Sequence, residues 1–236
     1  MSVVCIQNVG QYGNQLFPTV LATLTAIKHN LNVSQFQNKL VKFKPQPTYD
    51  FNYSDTAQTS DPLNDTNTNC NISMKRGYYQ NGDLLNTFRD VIKSNVFDLP
   101  SIQKNTKDVV IHLRLDGFNH DGHNSHIIHP EWYMSILKRI TFHKLYIVMA
   151  TTSGRIRKRQ EPHKQKYIEC FSEYTPEIVS HDEYTDFNFI RSFDKIISSN
   201  STFSWWAAFC SDASMIWLPP IWEGKNAKLC KIGDVS

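Results

Sequence analysis

Short apolar runs alternate with helix-forming segments through the second half of the chain, and this alternation constrains the fold most. Strands are predicted at Val109–Leu115, Leu145–Ala150, Glu177–Ser180, Lys195–Ser199 and Ser214–Leu218. Helices are predicted at Pro130–Ile140, near Lys158–Glu173, at Tyr184–Phe193 and at Thr202–Cys210. Because such alternation is typical of a parallel sheet covered by helices on both faces, we expect an α/β fold.

The first half has a less regular pattern. It predicts a buried strand at Val3–Val9, a turn at Gly10–Gly13 and a helix from about Asn14 to His29, with Pro18 in its first turns. A long polar loop at Lys44–Asn71 follows. The last elements are a helix from about Asp83 to Phe97 and a linker at Pro100–Asn105. The loop is rich in Pro, Asn, Asp and Thr, which favour turns over regular elements.

Composition and charge exclude several classes of function. The 236 residues, 40% of them hydrophobic, suffice for one substantial core or two small lobes. The net charge of +3 is too small to indicate a nucleic-acid-binding protein. The start has no secretory signal pattern, and the apolar window Leu16–Ile27 is too short to span a bilayer. The five cysteines are scattered without a C-x-x-C pair, which favours reduced thiols in a cytoplasm-like compartment.

Ligands of parallel sheets bind beyond the carboxyl ends of the strands, so the segments that follow predicted strands are the candidates for a site. The first is Gly10-Gln11-Tyr12-Gly13-Asn14-Gln15, between a strand and a helix. Its glycines allow a ligand to approach the backbone closely, but it is not the G-x-G-x-x-G pattern of dinucleotide sites. A plain tight turn is the alternative interpretation.

The second segment is Val109-Val110-Ile111-His112-Leu113-Arg114-Leu115-Asp116, an apolar strand that becomes polar at its end. His112 and Arg114 are two residues apart, so they project to the same side of a strand. An arginine can hold a phosphate with two N–H bonds. The alternative is a surface pair of Arg114 with Asp116 beside a core histidine.

The third segment, Ser198–Ala208, reads Ser-Ser-Asn-Ser-Thr-Phe-Ser-Trp-Trp-Ala-Ala and leads from a strand into a helix. Its hydroxyls and the positive helix start form a potential anion site. The alternative is an ordinary capped helix with its aromatic residues in the core. Together the three segments predict a diphosphate site at one sheet edge. Because the sequence has no Asp-x-Asp metal anchor, arginine and helix dipoles would have to stabilise the leaving group.

These motifs, taken jointly and in this order, resemble the α-1,2-fucosyltransferases of glycosyltransferase family 11, within the wider α-1,2/α-1,6/protein-O-fucosyltransferase group. The matching motifs are Gly10-Gln11-Tyr12-Gly13-Asn14-Gln15-Leu16-Phe17, Gly77-Tyr78-Tyr79-Gln80, His112-Leu113-Arg114 and Ser199-Asn200-Ser201-Thr202-Phe203-Ser204-Trp205-Trp206. The last of these motifs is highly specific, and the likeness covers most of the chain.

The resemblance implies a GT-B-type fold of two Rossmann-like lobes with mainly parallel sheets. A reduced acceptor-side lobe would cover residues 1–104, and a nucleotide-sugar-binding lobe would cover residues 105–236. It implies transfer of L-fucose from GDP-fucose to a glycan hydroxyl with inversion, without a metal or other cofactor. Arg114 would bind the β-phosphate, Ser201 and Thr202 would lie near the diphosphate, and Asn14 and Gln15 would lie at the interlobe cleft. The full predicted donor-binding set is Gly13, Asn14, Gln15, His112, Arg114, Asn200, Ser201, Thr202 and Ser204.

The chain departs from the family pattern in three ways. It is short for two full lobes, which is why the first lobe is expected to be reduced, and the other two departures keep alternatives open. Asp116 and Gly117 stand in the order opposite to the family's Gly-Asp, which weakens any transfer of the family role to Asp116. Relatives have Ser-Asp-Asp after a strand where this chain has Met149-Ala150-Thr151-Thr152-Ser153. Another GDP-linked deoxyhexose such as rhamnose is therefore an alternative donor. A non-catalytic glycan-binding module is a further alternative, whereas a glycosidase would need paired carboxylates across a cleft.

The catalytic hypothesis is a single displacement in which Arg114 stabilises the departing phosphate and a general base takes the acceptor proton. Candidate bases are Asp116, His120, Asp121 and His123, in the loop after the strand. His120, His123, His126 and His129 also raise the possibility of a metal site, but their spacing matches no familiar pattern, and a solvent-exposed acceptor-side loop is favoured. The expected partners are a GDP-sugar and a glycan acceptor, with no nucleic acid and no integral membrane segment. Since Golgi relatives carry a membrane anchor, we expect a bacterial-type or viral enzyme in the cytoplasm, or a chain trimmed of its anchor.

Overall fold

A computed structural model of the chain describes residues 3–5, 10–33, 38–44, 56–59, 63, 71–74, 79–115, 127–149 and 163–219. The chain divides into two compact units, Met1–Pro100 and Ser101–Ser236. Each unit contains its own parallel sheet.

The first unit is built around a four-stranded sheet. Its elements in chain order are β1 (Val3–Cys5), α1 (Tyr12–His29), β2 (Asn32–Val33), β3 (Lys42–Phe43), β4 (Thr56–Thr59), β5 (Asn71–Met74), α2 (Gly82–Thr87), α3 (Arg89–Val91) and β6 (Phe97–Asp98). The sheet has the order β2-β1-β5-β4 and is parallel throughout, while β3 and β6 form a separate antiparallel pair. The predicted strand Val3–Val9 is confirmed over Val3–Cys5. Positions 6–9 lie outside the described ranges.

Two predictions for this unit were wrong. The predicted loop Lys44–Asn71 contains β4, which pairs in parallel with β5. Its sequence Thr-Ala-Gln-Thr lacks apolar alternation, so the residue pattern gave no strand signal. The predicted single helix Asp83–Phe97 is instead interrupted at Phe88 (φ −105°, ψ 16°) and continues through α3 into a π-helical turn at Ile92–Val96.

The π-helical turn changes which side chains face the core. Ile92 and Val96, at the two ends of the turn, are both fully buried, whereas Val91, just before it, is 37% exposed. A π-helical turn holds more residues than an α-helical turn, so it rotates the following side chains relative to a regular helix.

Helix α1 begins two residues earlier than predicted and ends at His29, as predicted. The next residue, Asn30, has a left-handed backbone and donates its N–H to the carbonyls of Ala26 and Ile27. Pro18 is therefore the seventh residue of the helix, where it removes the N–H that the Asn14 carbonyl would otherwise accept. Three buried hydroxyls bond to the carbonyl four residues before them; they belong to Thr19, Thr23 and Thr25. No helix in the described ranges is both long and apolar enough to cross a membrane.

The second unit confirms the predicted α/β alternation. Its elements are β7 (Val109–His112), α4 (Pro130–Leu137), β8 (Leu145–Val148), α5 (residues 163–170), β9 (Glu177–Val179), α6 (Glu183–Arg191), β10 (Lys195–Ile197), α7 (Thr202–Phe209) and β11 (Met215–Trp217). The five strands are all parallel and have the order β11-β10-β7-β8-β9. The observed strands are shorter than predicted; the residues left out include the apolar Leu113, Leu115 and Met149 as well as polar Ser180 and Ser199. This arrangement is consistent with a Rossmann-like α/β fold.

Helices cover both faces of this sheet. Ile111 and Ile147 pair across β7 and β8 and pack with Tyr133 of α4. The alternate residues face the other way, and the Tyr146 ring contacts the Phe189 ring of α6 at 5.6 Å. Trp205 and Trp206 of α7 are both fully buried, as the core interpretation of that segment predicted.

Asp194 joins the starts of two neighbouring strands at the amino edge of the sheet. Its carboxylate accepts bonds from the backbone N–H (2.9 Å) and the hydroxyl (2.7 Å) of Ser214, just before β11. Lys104 lies 2.5 Å from the same carboxylate. This contact fixes the start of β11 beside β10, at the edge opposite to the candidate site.

Candidate functional site

The strand order creates a crevice at the carboxyl edge of the second sheet. The chain adds β8 and β9 on one side of β7, and then returns to place β10 on its other side. The segments that follow β7 and β10 therefore lead to helices on opposite faces of the sheet, with Tyr133 of α4 in the core that contains Ile111 and Phe203 of α7 beside His112. Open α/β sheets bind ligands at such a switch point, so these two segments are where a ligand is expected.

A buried hydrogen bond joins the two segments at the switch point. The Nδ1 atom of His112, the last residue of β7, lies 2.7 Å from the hydroxyl oxygen of Ser199, which follows β10. The two residues are 87 positions apart in the chain. The His112 side chain also lies beside Phe203 of α7, with ring centroids 5.4 Å apart. The His-x-Arg strand and the serine-rich turn, predicted to converge, are thus brought together.

Arg114 lies immediately beyond this contact. Its neighbours Leu113 and Leu115 are each 1% exposed and belong to the core that includes Tyr133. Because side chains alternate along extended chain, Arg114 projects from the side opposite to those leucines, the side that His112 also uses. The Arg114 side chain is half-buried, which leaves a cation partly withdrawn from water at the end of β7.

The pKa of His112 is lowered to about 3, first by burial and then by the positive charge of Arg114. The imidazole is therefore neutral near pH 7, and the charge at this position comes from Arg114. A nucleophilic serine needs a histidine that can take up its proton near neutral pH. Ser199 is only 1% exposed, so the His112–Ser199 pair is suited to holding the turn and not to nucleophilic catalysis.

The serine-rich turn uses several hydroxyls internally. Ser198 and Ser204 are fully buried and their hydroxyl oxygens lie 2.7 Å apart. The Ser204 hydroxyl also bonds to the Ser201 carbonyl at 3.2 Å. These bonds fix the entry into α7, so the predicted donor-binding Ser204 acts inside the turn. Of the other predicted residues here, Ser201 is buried, while Asn200 and Thr202 are half-buried.

The start of α7 itself has no side-chain cap. Ser201 occupies the N-cap position with extended backbone, but its hydroxyl does not bond to an N–H of the first turn. The N–H groups of a first helical turn have no partner within the helix. A half-buried guanidinium and this helix start lie at the ends of adjacent strands, and both favour an anion. The chemistry that this edge supports best is the binding of a phosphate-like group.

The predicted general bases and the histidine loop fall mostly outside the described residues. The four candidate bases lie between positions 115 and 127, outside the described residues; they are Asp116, His120, Asp121 and His123. Within the described ranges, no three His, Cys, Asp or Glu side chains are grouped closely enough to hold a metal ion.

The other predicted donor-binding residues belong to the first unit. Gly10, with φ +76°, starts the turn, and the Gln15 side chain donates to its carbonyl at 2.9 Å. A Cβ on Gly10 would lie 2.7 Å from Asn14 Nδ2, so glycine is required there. The amide of Gln80 donates to Asn14 Oδ1 at 3.1 Å, which brings the first two motifs of the resemblance together. Gly13 is buried in the first turn of α1.

One arrangement at the carboxyl edge was missed at the sequence level. His181, which follows β9, has its Nδ1 atom 2.9 Å from Asp186 of α6. The signal in the sequence was a histidine directly before the N-cap residue Asp182, with a second aspartate four residues further on. That pattern resembles ordinary helix capping, and it did not stand out for that reason.

The fold and this edge define a chain of the α/β class with a parallel sheet and a candidate anion site at its switch point. Comparisons with models of known protein families, with curated proteins and with solved structures gave no match. The residues at the switch point are therefore the basis for assigning a function.

Proposed function

We propose that this chain is an inverting, metal-independent glycosyltransferase of the GT-B type that transfers L-fucose from GDP-fucose to a glycan hydroxyl. The observation that supports it most is the 2.7 Å contact of His112 with Ser199. That contact joins the two motifs that the resemblance assigns to the donor diphosphate. In this proposal the second unit is the donor lobe and the first unit is the acceptor lobe.

The proposed donor site uses the two groups that favour an anion. Arg114 would hold the β-phosphate through two N–H bonds, and the start of α7 would face the same diphosphate. The buried bonds of Ser198, Ser199 and Ser204 support this assignment, because they hold the turn before α7 in one conformation. A site fixed in advance stabilises developing charge without having to reorganise.

The proposed reaction is a single displacement. The acceptor oxygen forms a bond to the anomeric carbon as the bond from that carbon to the phosphate oxygen breaks. The electron pair leaves with the diphosphate, where Arg114 and the α7 start stabilise the added negative charge. The acceptor proton goes to a general base, for which Asp116, His120, Asp121 and His123 remain the candidates.

A second donor, another GDP-linked deoxyhexose such as rhamnose, is supported by the end of β8. Met149 there is buried and 1% exposed, and it donates its N–H to the Val179 carbonyl at 3.2 Å. The residues that follow, Ala150 to Ser153, contain no carboxylate. The fucosyltransferase family that the chain resembles has two at this place, and this difference in charge affects which groups of the donor the segment after β8 would contact.

The test is direct binding and turnover with a set of GDP- and UDP-sugars. We expect GDP and GDP-fucose to bind, and GDP to be released with a suitable oligosaccharide acceptor. Arg114→Ala should weaken GDP binding by about tenfold or more, because it removes hydrogen bonds to a charged group. Turnover should be lost in this variant.

Arg139→Ala is the matched control. Arg139 is exposed after α4, and its side chain donates to the Ser135 carbonyl of its own helix region. This variant loses the same charge and should bind GDP as the wild type does. Equal GDP affinity in Arg114→Ala and Arg139→Ala would refute the proposed donor site, and failure of the wild type to bind any nucleotide sugar would refute the proposed function.

A further inference from the structure

A histidine outside the switch-point site is held in a fixed orientation at the same edge of the sheet. His181 follows β9, and its Nδ1 atom lies 2.9 Å from Asp186 Oδ1. The backbone N–H of His181 donates to the same oxygen at 3.0 Å. The Asp186 side chain is 10% exposed, whereas the His181 side chain is 49% exposed. The carboxylate is thus inside the protein and the imidazole faces solvent.

The contact with Asp186 determines which ring nitrogen is available. A carboxylate oxygen accepts hydrogen bonds, so the Nδ1 atom that faces it carries the hydrogen. In the neutral imidazole, Nε2 then has the lone pair. Among the described residues, none bonds to Nε2, and the nearest ring is that of Phe189 at a centroid distance of 6.3 Å. In that neutral form the available group is a hydrogen-bond acceptor, and the contact of Nδ1 with Asp186 determines the direction in which it points.

The position of His181 relates it to the proposed donor site. Strands β7, β8 and β9 are adjacent and parallel, so their carboxyl ends lie at one edge. Two strand spacings amount to about 10 Å, which separates the end of β9 from the end of β7. A nucleotide sugar held by its phosphates near Arg114 has a ribose on one side and a hexose on the other. Both of these groups present hydroxyls, which a fixed acceptor can bind.

We propose that His181 is a ligand-binding residue whose Nε2 atom accepts a hydrogen bond from a ribose or hexose hydroxyl of the bound nucleotide sugar. This inference rests on the proposed function. Asp186 is then a positioning residue, because it acts through the orientation of the imidazole. In the competing explanation, His181 and Asp186 only stabilise the start of α6.

Two substitutions separate these explanations. In His181→Asn, the side-chain amide can occupy the place of Nδ1 and keep the bond to Asp186, but nothing occupies the place of Nε2. In His181→Gln, an amide oxygen can reach the place of Nε2, but the Nδ1 donor is lost. Ligand binding predicts that the Asn variant binds the nucleotide sugar about three- to tenfold more weakly with an unchanged Tm. It predicts that the Gln variant binds more tightly than the Asn variant, with a lower Tm.

Calorimetric titration with GDP and with GDP-fucose shows which hydroxyl is bound. Weaker binding of both ligands to His181→Asn indicates the ribose, and weaker binding of GDP-fucose alone indicates the hexose. His143→Asn is the control, since His143 is exposed before β8, at the opposite edge of the sheet. It should bind both ligands as the wild type does.

The two proposals fail in different ways. If wild type binds GDP-fucose, and Arg114→Ala does not, while His181→Asn retains wild-type affinity, the His181 inference is overturned and the proposed function stands. A lower Tm in His181→Asn with unchanged affinity also overturns the inference in favour of a purely structural role. If the wild type binds neither GDP nor GDP-fucose, both proposals are overturned.

Discussion

The buried neutral histidine at the end of β7 should make the stability of the second unit depend on pH. The pKa of His112 is about 3 in the folded protein, against an ordinary value of 6.5. Unfolding exposes the ring, so below pH 6.5 the unfolded state takes up a proton that the folded state does not. His112 therefore contributes its full stabilisation above pH 6.5, and this contribution is lost as the pH falls from 6.5 towards 3.

The size of the effect follows from these two pKa values. Between pH 7.5 and pH 5.0 the unfolded imidazole becomes almost fully protonated, while the folded imidazole stays neutral. The free energy of unfolding should fall by about 2 kcal/mol over this interval from His112 alone. The expected loss of free energy depends mainly on the pKa of 6.5 in the unfolded state. The pKa in the folded state matters little, because at pH 5.0 the folded ring is neutral for any pKa below about 4.

Urea unfolding followed by tryptophan fluorescence measures this change. All five tryptophans lie in the second unit, so the signal reports that unit. The comparison is between the wild type and His112→Asn, whose amide can still bond to Ser199 but does not titrate. The wild type should lose about 2 kcal/mol more than the variant between the two pH values. Taking the difference removes the contributions of all other titrating groups.

His143→Asn is the control for the loss of an imidazole as such. His143 is exposed and far from the switch point in the sheet, so this variant should keep the His112–Ser199 contact and with it the part of the pH dependence that comes from His112. If wild type and His112→Asn lose the same free energy to within about 0.5 kcal/mol, His112 is not a buried neutral residue of the fold, and the geometry of the switch point is wrong.

Three further substitutions test the structure by chemical denaturation. Gly10→Ala should cost about 1–3 kcal/mol, because its Cβ would lie 2.9 Å from Asn14 Cβ at a φ of +76°; a neutral effect would contradict the described turn. Ser199→Ala should cost about 1–3 kcal/mol, since it leaves buried His112 Nδ1 without its 2.7 Å partner, and unchanged stability would show that water replaces the hydroxyl. Asp194→Ala should cost about 1–2 kcal/mol by freeing the start of β11, and stability equal to the wild type would mean that the strand start is fixed by other contacts.

The fold of the second unit could be predicted because its strands are strongly apolar. Val109, Val110 and Ile111 are all fully buried, and their run of β-branched residues signals a strand regardless of context. In contrast, β4 consists of Thr-Ala-Gln-Thr and owes its structure to backbone pairing with β5, which no local pattern reports.

The candidate site could be predicted only in part. The placement of His112 and Arg114 on one side of a strand is predicted from the period of two; in the structure β7 ends at His112, and Arg114 follows it with a half-buried side chain. The sequence did not predict which hydroxyls bond within the protein. Ser198, Ser199 and Ser204 are the same residue type, and only the folded structure determines which groups lie beside each of them. His181 was missed because its relation to Asp186 arises where a strand end meets a helix start, across a turn that has no special sequence.

The hydrogen bond between His112 and Ser199 spans 87 residues of chain. Between these positions the chain forms α4, β8, α5, β9, α6 and β10, so the contact depends on bringing the two ends of this long stretch together in the folded sheet. Any small molecule that binds at this edge would therefore report complete folding of the unit, and a screen for thermal protection or resistance to proteolysis would detect that molecule without knowledge of the reaction.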